Sequence, residues 1–193
     1  MLIEELPSSK QATELLHAVV MREPFKAARR VDKPLALYGA GKLGRMAIEL
    51  LERIGITEFV VVDQGAERIR SDPFWHGRNL VRPDELPASV ISESLLAVCI
   101  ATESFERLAL ELTAQGWKDI VPFYDVAEAY TDSYPLGNGW ELNSFDEEEV
   151  EATSEVLTRW GDDISRAHHL QFIAWHRLRE DWIFSGAQVD QDN

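Results

Sequence analysis

One stretch constrains this chain more than any other: the apolar run LALYG at 35–39, the glycines Gly39, Gly41 and Gly44, the segment KLGRMAIELLERIG, and FVVVD at 59–63. A short apolar run that stops at glycine reads as a buried strand. Leu43, Ala47, Leu50, Leu51 and Ile54 then recur at helical spacing, and Gly55 stands where a helix stop is expected. A second apolar run ends on Asp63. Strand, glycine turn, helix and strand in that order predict a right-handed βαβ unit with parallel strands.

The same pattern continues along the chain. NLV at 79–81 reads as a short third strand, SLLAVCIAT at 94–102 as a central fourth, and DIVPF at 119–123 as a fifth. Pro122 lacks a ladder donor and marks that fifth strand as an edge. Phe105, Leu108, Ala109 and Leu112 trace the helix between the last two strands, with Gly116 as its stop. Residues 64–78, with Gly65, Pro73 and Gly77, read as a loop. The expected fold class is α/β: a Rossmann-like open parallel sheet of about five strands, ordered 3-2-1-4-5, with helices on both faces and an acidic C-terminal helical extension. The expected divisions are 1–33, an N-terminal helix and linker; 34–130, the Rossmann-type domain; and 131–193, the extension. Ser8 with Gln11 three residues on is a capping-box pattern, so the first helix starts there and ends before Pro24.

The glycines have distinct physical tasks in this fold. Gly39 permits the tight turn off the strand, Gly41 lets the backbone approach a diphosphate, and Gly44 lets helix and strand pack closely. The free N–H groups of Lys42, Leu43 and Gly44 at the helix start, with the positive end of its dipole, suit an anion. Asp63, 24 residues beyond Gly39, is placed to accept hydrogen bonds from a ribose hydroxyl pair, and its charge disfavours a 2′-phosphate. Lys42 and Arg45 are candidate phosphate cations, with a place on a solvated helix face the alternative for each. Thr102, Glu103 and Ser104 follow the central strand at its C-terminal end, where open α/β sheets build their crevice, with Ser104 also suited to capping the next helix. The expected cofactor-binding set is therefore Gly39, Gly41, Lys42, Leu43, Gly44, Asp63 and Thr102.

No catalytic constellation is complete. Tyr38 and Lys42 have Y-x-x-x-K spacing but straddle a strand end and a turn, so their side chains share no helical face. His168 and His169 are adjacent and point to different sides of a helix, so no metal site is expected. Cys99, the single cysteine, lies in an apolar run and is expected to pack as a small hydrophobe.

The formal net charge of −15 lies mainly in residues 131–193, which hold 14 acidic and 4 basic side chains. Such a surface repels phosphate backbones and anionic lipid, which excludes nucleic acid and membrane as expected partners. With no apolar span and acids in the leading MLIEELPSSK, the expected location is the cytoplasm. The C-terminal segment reads as two helices broken at Gly161, with GAQVDQDN frayed. Leu170, Ile173, Ala174 and Leu178 form one apolar stripe, while Phe172, Trp175 and Trp182 form another. A helix apolar on two sides needs two surfaces to pack against, so a second protein surface is expected there: an identical subunit or a separate catalytic domain.

The run LALYGAGKLGRMAIELL, with VVVD, HGRNLVRPDEL and VCIATESFERLALELTAQGW, resembles the NAD(P)-binding-type Rossmann domain associated with FkbM-type methyltransferases and bacterial nucleotide-sugar-modifying enzymes. It covers roughly residues 34–125. LGNGWELNSF and DDISRAHHLQFIAWHRLREDW are similar to the segment that follows such a domain in FkbM-type proteins. The resemblance implies a module binding NAD(H) or a nucleotide sugar beside sugar-modifying machinery. The S-adenosylmethionine-dependent catalytic domain of those methyltransferases has no counterpart in these residues. A regulatory or targeting module, or part of a longer protein, is what that implies. Two alternatives stand beside it: an S-adenosylmethionine-dependent methyltransferase using the glycine loop and the crevice at Glu103, and a structural interaction domain whose loop is empty.

Overall fold

The computed structural model describes residues 1–25, 28–132 and 145–187. In chain order the elements are β1 (Leu2–Ile3), α1 (Ser9–Val20), β2 (Leu35–Tyr38), α2 (Lys42–Arg53), β3 (Phe59–Val62), α3 (Ala66–Ile69), β4 (Leu80–Val81), α4 (Ala88–Glu93), β5 (Leu95–Val98), α5 (Phe105–Ala114), β6 (Asp119–Pro122), α6 (Phe123–Glu128), α7 (Glu147–Arg159), α8 (Asp163–Leu178) and β7 (Ile183–Phe184). The chain divides into two compact units, residues 27–137 and residues 1–26 with 138–193.

The first unit is an α/β sheet layer. Five strands pair in parallel in the order β4-β3-β2-β5-β6. This differs from the expected 3-2-1-4-5 in its numbers because a strand ahead of the sheet, β1, takes the first place in the chain and lies in a separate two-stranded sheet, so each sheet strand carries a number one higher. In space, β2 lies between β3 and β5, with Leu35 level with Phe59 on one side and Leu95 on the other. The edge strand β6 ends at Pro122.

Side chains alternate across a strand, and both faces of this sheet are covered. Leu35 and Leu37, with Val61, Leu95 and Ala97, meet Ala47, Ile48 and Leu51 of α2 and Val126 of α6. Ala36 and Tyr38, with Val62, Leu96 and Val98, meet Leu108 and Leu112 of α5 and Trp117. Hence the strands read as unbroken apolar runs rather than alternating ones. The chain steps from β2 through α2 to β3 on one side, and from β5 through α5 to β6 on the other. Right-handed crossovers in opposite directions put α2 and α5 on opposite faces, and the strand order reverses between β2 and β5.

Residues 64–78 are not the loop the sequence predicts: they hold α3 and a 3₁₀ turn at Pro73–Trp75. The Asp72 carboxylate accepts the Phe74 N–H at 2.9 Å and caps that turn, which seats Trp75 in the core beside α2. Elements of one turn are too short to express a hydrophobic period. The strand expected over 94–102 is confined to Leu95–Val98, and Phe123 opens α6 rather than closing β6.

In the second unit α1 packs on α7 and α8. Ser8 and Gln11 form a reciprocal capping box, and Ala12, Leu16 and Val19 of α1 meet Leu157 of α7 and Ala167, Leu170, Ile173 and Ala174 of α8. β1 pairs with β7 in parallel, Leu2 against Ile183. The first helix and the C-terminal helices thus share one core. Arg177 is buried, and its guanidinium donates to the carbonyls of Val19, Val20 and Arg22 at the end of α1. The expectation that Trp182 lies on the second face of α8 does not hold. Arg179 adopts φ 57°, the left-handed conformation that ends the helix, and the chain turns so that Trp182 is buried in the unit's own core. The stretches TDSYPLGNG and GAQVDQDN lie largely outside the described residues, as does most of LGNGWELNSF.

Candidate functional site

The glycine loop leaves the C-terminal end of β2, beside the point where the strand order reverses. Gly39 has φ 105°, a region L side chains rarely adopt, and donates to the Val62 carbonyl at 2.8 Å. A Cβ there would lie 2.8 Å from Ile100 Cγ1 and 3.2 Å from the Cys99 carbonyl oxygen. At Gly44 a Cβ would stand 2.1 Å from the Gly39 carbonyl oxygen, so the first turn of α2 can pass over the strand end only as glycine. Both residues are explained by the packing of the unit itself.

Gly41 is not. It has no atom within 4 Å of a would-be Cβ, and its φ of −73° is open to any residue. It is the N-cap of α2, makes no side-chain cap and has no acid in the first turn after it. The first-turn N–H groups of Lys42, Leu43 and Gly44 have no carbonyl of the helix before them. Lys42 is exposed, whereas the Leu43 side chain packs against the sheet core, which leaves its N–H as its contribution at the loop.

Asp63 follows β3 and turns back to the loop. Its Oδ2 accepts the Ala40 N–H at 2.7 Å and its Oδ1 accepts the Gly65 N–H at 2.7 Å. The structure therefore brings together Gly39, Gly41, Lys42, Leu43, Gly44 and Asp63. A carboxylate oxygen accepts two hydrogen bonds, so Asp63 retains capacity for a further donor on each. Ala40 and Gly65, the two amides that orient the acid, were not in the expected set. The D-x-G spacing of Asp63 and Gly65 was the available signal, since an aspartate commonly accepts from the backbone two residues on.

Thr102 lies in the exposed segment after β5, and that strand end is tied to β2 by the Cys99 N–H donating to the Tyr38 carbonyl at 2.8 Å. Ser104 caps α5, its hydroxyl accepting the Arg107 N–H at 3.4 Å, and Glu103 pairs with Arg107. Arg45 is not directed to a phosphate. Its guanidinium holds Asp72 at 2.5 Å and lies over the rings of Phe74 and Trp75, 4.9 and 5.7 Å from their centroids. That pairing, reinforced by the Phe74 N–H, holds the Asp72 carboxyl below its usual range. Cys99 is buried, and desolvation pushes its thiol far up. Among the described residues no group of three or more His, Cys, Asp or Glu side chains is placed to hold a metal, and no helix is long and apolar enough to cross a membrane.

Compared with protein-family models, with curated proteins and with solved structures, the chain matches none.

Proposed function

We propose that the sheet unit is a cytoplasmic nucleotide-binding module for NAD(H) or a nucleotide sugar, acting beside sugar-modifying machinery. The diphosphate lies over Gly39, Gly41 and the N-terminus of α2, the ribose hydroxyls reach Asp63, and Thr102 faces the ligand across the crevice. One observation carries the reading: packing accounts for Gly39 and Gly44 but not for Gly41. A residue without a side chain, at an uncapped helix start, next to a reversal in strand order, leaves room for a ligand's phosphates. The module works with a second protein surface, met through the C-terminal helices.

A second reading, a structural domain with an empty loop, is favoured by Asp63, whose two oxygens already accept the N–H groups of Ala40 in the loop and of Gly65 in the turn after β3. Calorimetric titration with NAD, NADH, a uridine diphosphate sugar and S-adenosylmethionine separates these. Saturable heat with one of the first three, lost in Gly41→Val, supports the module. Heat with S-adenosylmethionine alone turns the reading to methyl transfer, and no heat with any leaves the structural domain.

A further inference from the structure

The connection between β4 and β5 leaves part of the sheet uncovered. The chain must cross β3 and β2, about 14 Å at the ordinary spacing of strands, and α4 has six residues, about 9 Å of helix. Val61 and Val62 of β3 are buried, whereas Phe59 and Val60 at its entrance are half-buried. A groove of about 660 Å³ lies there, at the N-terminal ends of the strands and at the opposite end of β2 from the glycine loop. Its volume is that of a small-molecule site. Ser94 lines it at the step from α4 to β5. The residue is 2% exposed, yet among the described residues its hydroxyl has no hydrogen-bond partner. A buried hydroxyl without a partner is uncommon in a folded chain and marks a place for a ligand atom.

We propose that the groove binds an aliphatic amine with two ammonium groups. Charge selects the ligand. Glu58 at the entrance of β3 and Glu93 on α4 are exposed, line the groove from the sheet and from the helix, and form no ion pair among the described residues. Lys33, the one cation of the lining, is held by Asp119 at 2.6 Å, so the two carboxylates are uncompensated. An anion is repelled here, and a neutral polyol leaves both carboxylates without a counter-charge. Val60 and Val90 of the same lining offer apolar surface to a methylene chain. An ammonium has three donors, so each carboxylate takes one ammonium, and the Ser94 hydroxyl accepts from the one at Glu93, its neighbour in the chain. The site is independent of what the glycine loop binds.

Calorimetric titration of the whole chain with putrescine and cadaverine at low salt tests it. The expected result is saturable binding of one amine per chain, weakened about tenfold or more by Glu58→Gln and by Glu93→Gln, and about three- to tenfold by Ser94→Ala. Butylamine, with a single ammonium, should bind more weakly than either diamine. The glutamates are exposed and the Ser94 hydroxyl has no partner to lose, so the urea midpoint of each variant should lie close to the parent's. Absence of saturable heat overturns the proposal, as does heat that all three variants retain, which would place the amine on acids elsewhere. Saturation by glucose and not by the amines overturns it in favour of a neutral polyol. Gly41→Val should bind the amines as the parent does, and loss of amine binding in that variant contradicts a site separate from the glycine loop.

Discussion

The carboxylate of Asp63 reaches across from the end of β3 to the amide of Ala40, accepting its N–H at 2.7 Å while its other oxygen holds Gly65 at the same distance. One side chain thereby sets the shape of the glycine loop and opens the next turn. Asp63→Ala removes an ionised acceptor from two amides and is expected to cost about 2 to 4 kcal/mol. Asp63→Asn keeps one acceptor but turns an amide N–H toward the other donor, and is expected to cost about half as much. Urea denaturation followed by circular dichroism measures both. An Asp63→Asn variant as stable as the parent would show that the carboxylate does not organise the loop.

Gly41 and Gly44 are expected to respond in opposite ways to a side chain. Gly44→Ala puts a methyl group 2.1 Å from backbone, so the helix must move off the strand end, at a cost of about 3 kcal/mol or more. At Gly41→Val the added Cβ meets no atom within 4 Å, so the change should cost only the N-cap preference of glycine over valine, about 1 kcal/mol, while abolishing nucleotide binding. Equal loss of stability in both variants contradicts the assignment of Gly41 to a ligand.

Arg177 supplies donors to three carbonyls at the end of α1 from within a core. Arg177→Met retains much of the volume and removes every donor, and the orphaned carbonyls should cost about 3 kcal/mol. Amide hydrogen exchange is the suitable measurement, since the loss is expected in α1, α7 and α8. Loss of protection spread evenly over β2 and β5 as well would contradict the separate core of the helical unit.

His169 gives that unit a dependence on pH. The Trp160 indole N–H donates to its Nδ1 at 3.0 Å, which requires the neutral imidazole, and burial lowers the histidine below its ordinary value of 6.5. The unfolded chain therefore binds a proton at a higher pH than the folded one. The contribution is present in full above 6.5, is lost as pH falls from there toward the lowered folded value, and changes no further below it. Comparing urea midpoints of the parent and His169→Gln at about pH 7.5 and about pH 5 isolates it. The parent's advantage should shrink at the lower pH; an advantage that grows on acidification reverses the sign and refutes the assignment.

By itself the sequence determined what acts over short distances. The apolar runs ending in glycine or aspartate, the helical spacing of Ala47, Leu50 and Leu51, the Ser8 capping box and the edge-marking Pro122 each express a local period or a steric rule. From these the parallel strands, their helices and the glycine turn were legible. Only the tertiary structure decided the rest, because an apolar stripe records that a face is covered and not what covers it. The stripe of α1 could not name α7 and α8, nor could Leu2 name Ile183 at the other end of the chain. Trp182 read as part of a helix until the left-handed Arg179 turned it inward. Arg45 read as either a phosphate cation or a solvated side chain, and the fold instead sets Asp72 and two aromatic rings against it, through a turn too brief to show a period. At the candidate site the division is sharpest within one motif. Spacing assigned the three glycines separate tasks but no distances; the close approach of Gly44 to the Gly39 carbonyl, against the empty space at Gly41, separates the two that the fold requires from the one that it does not.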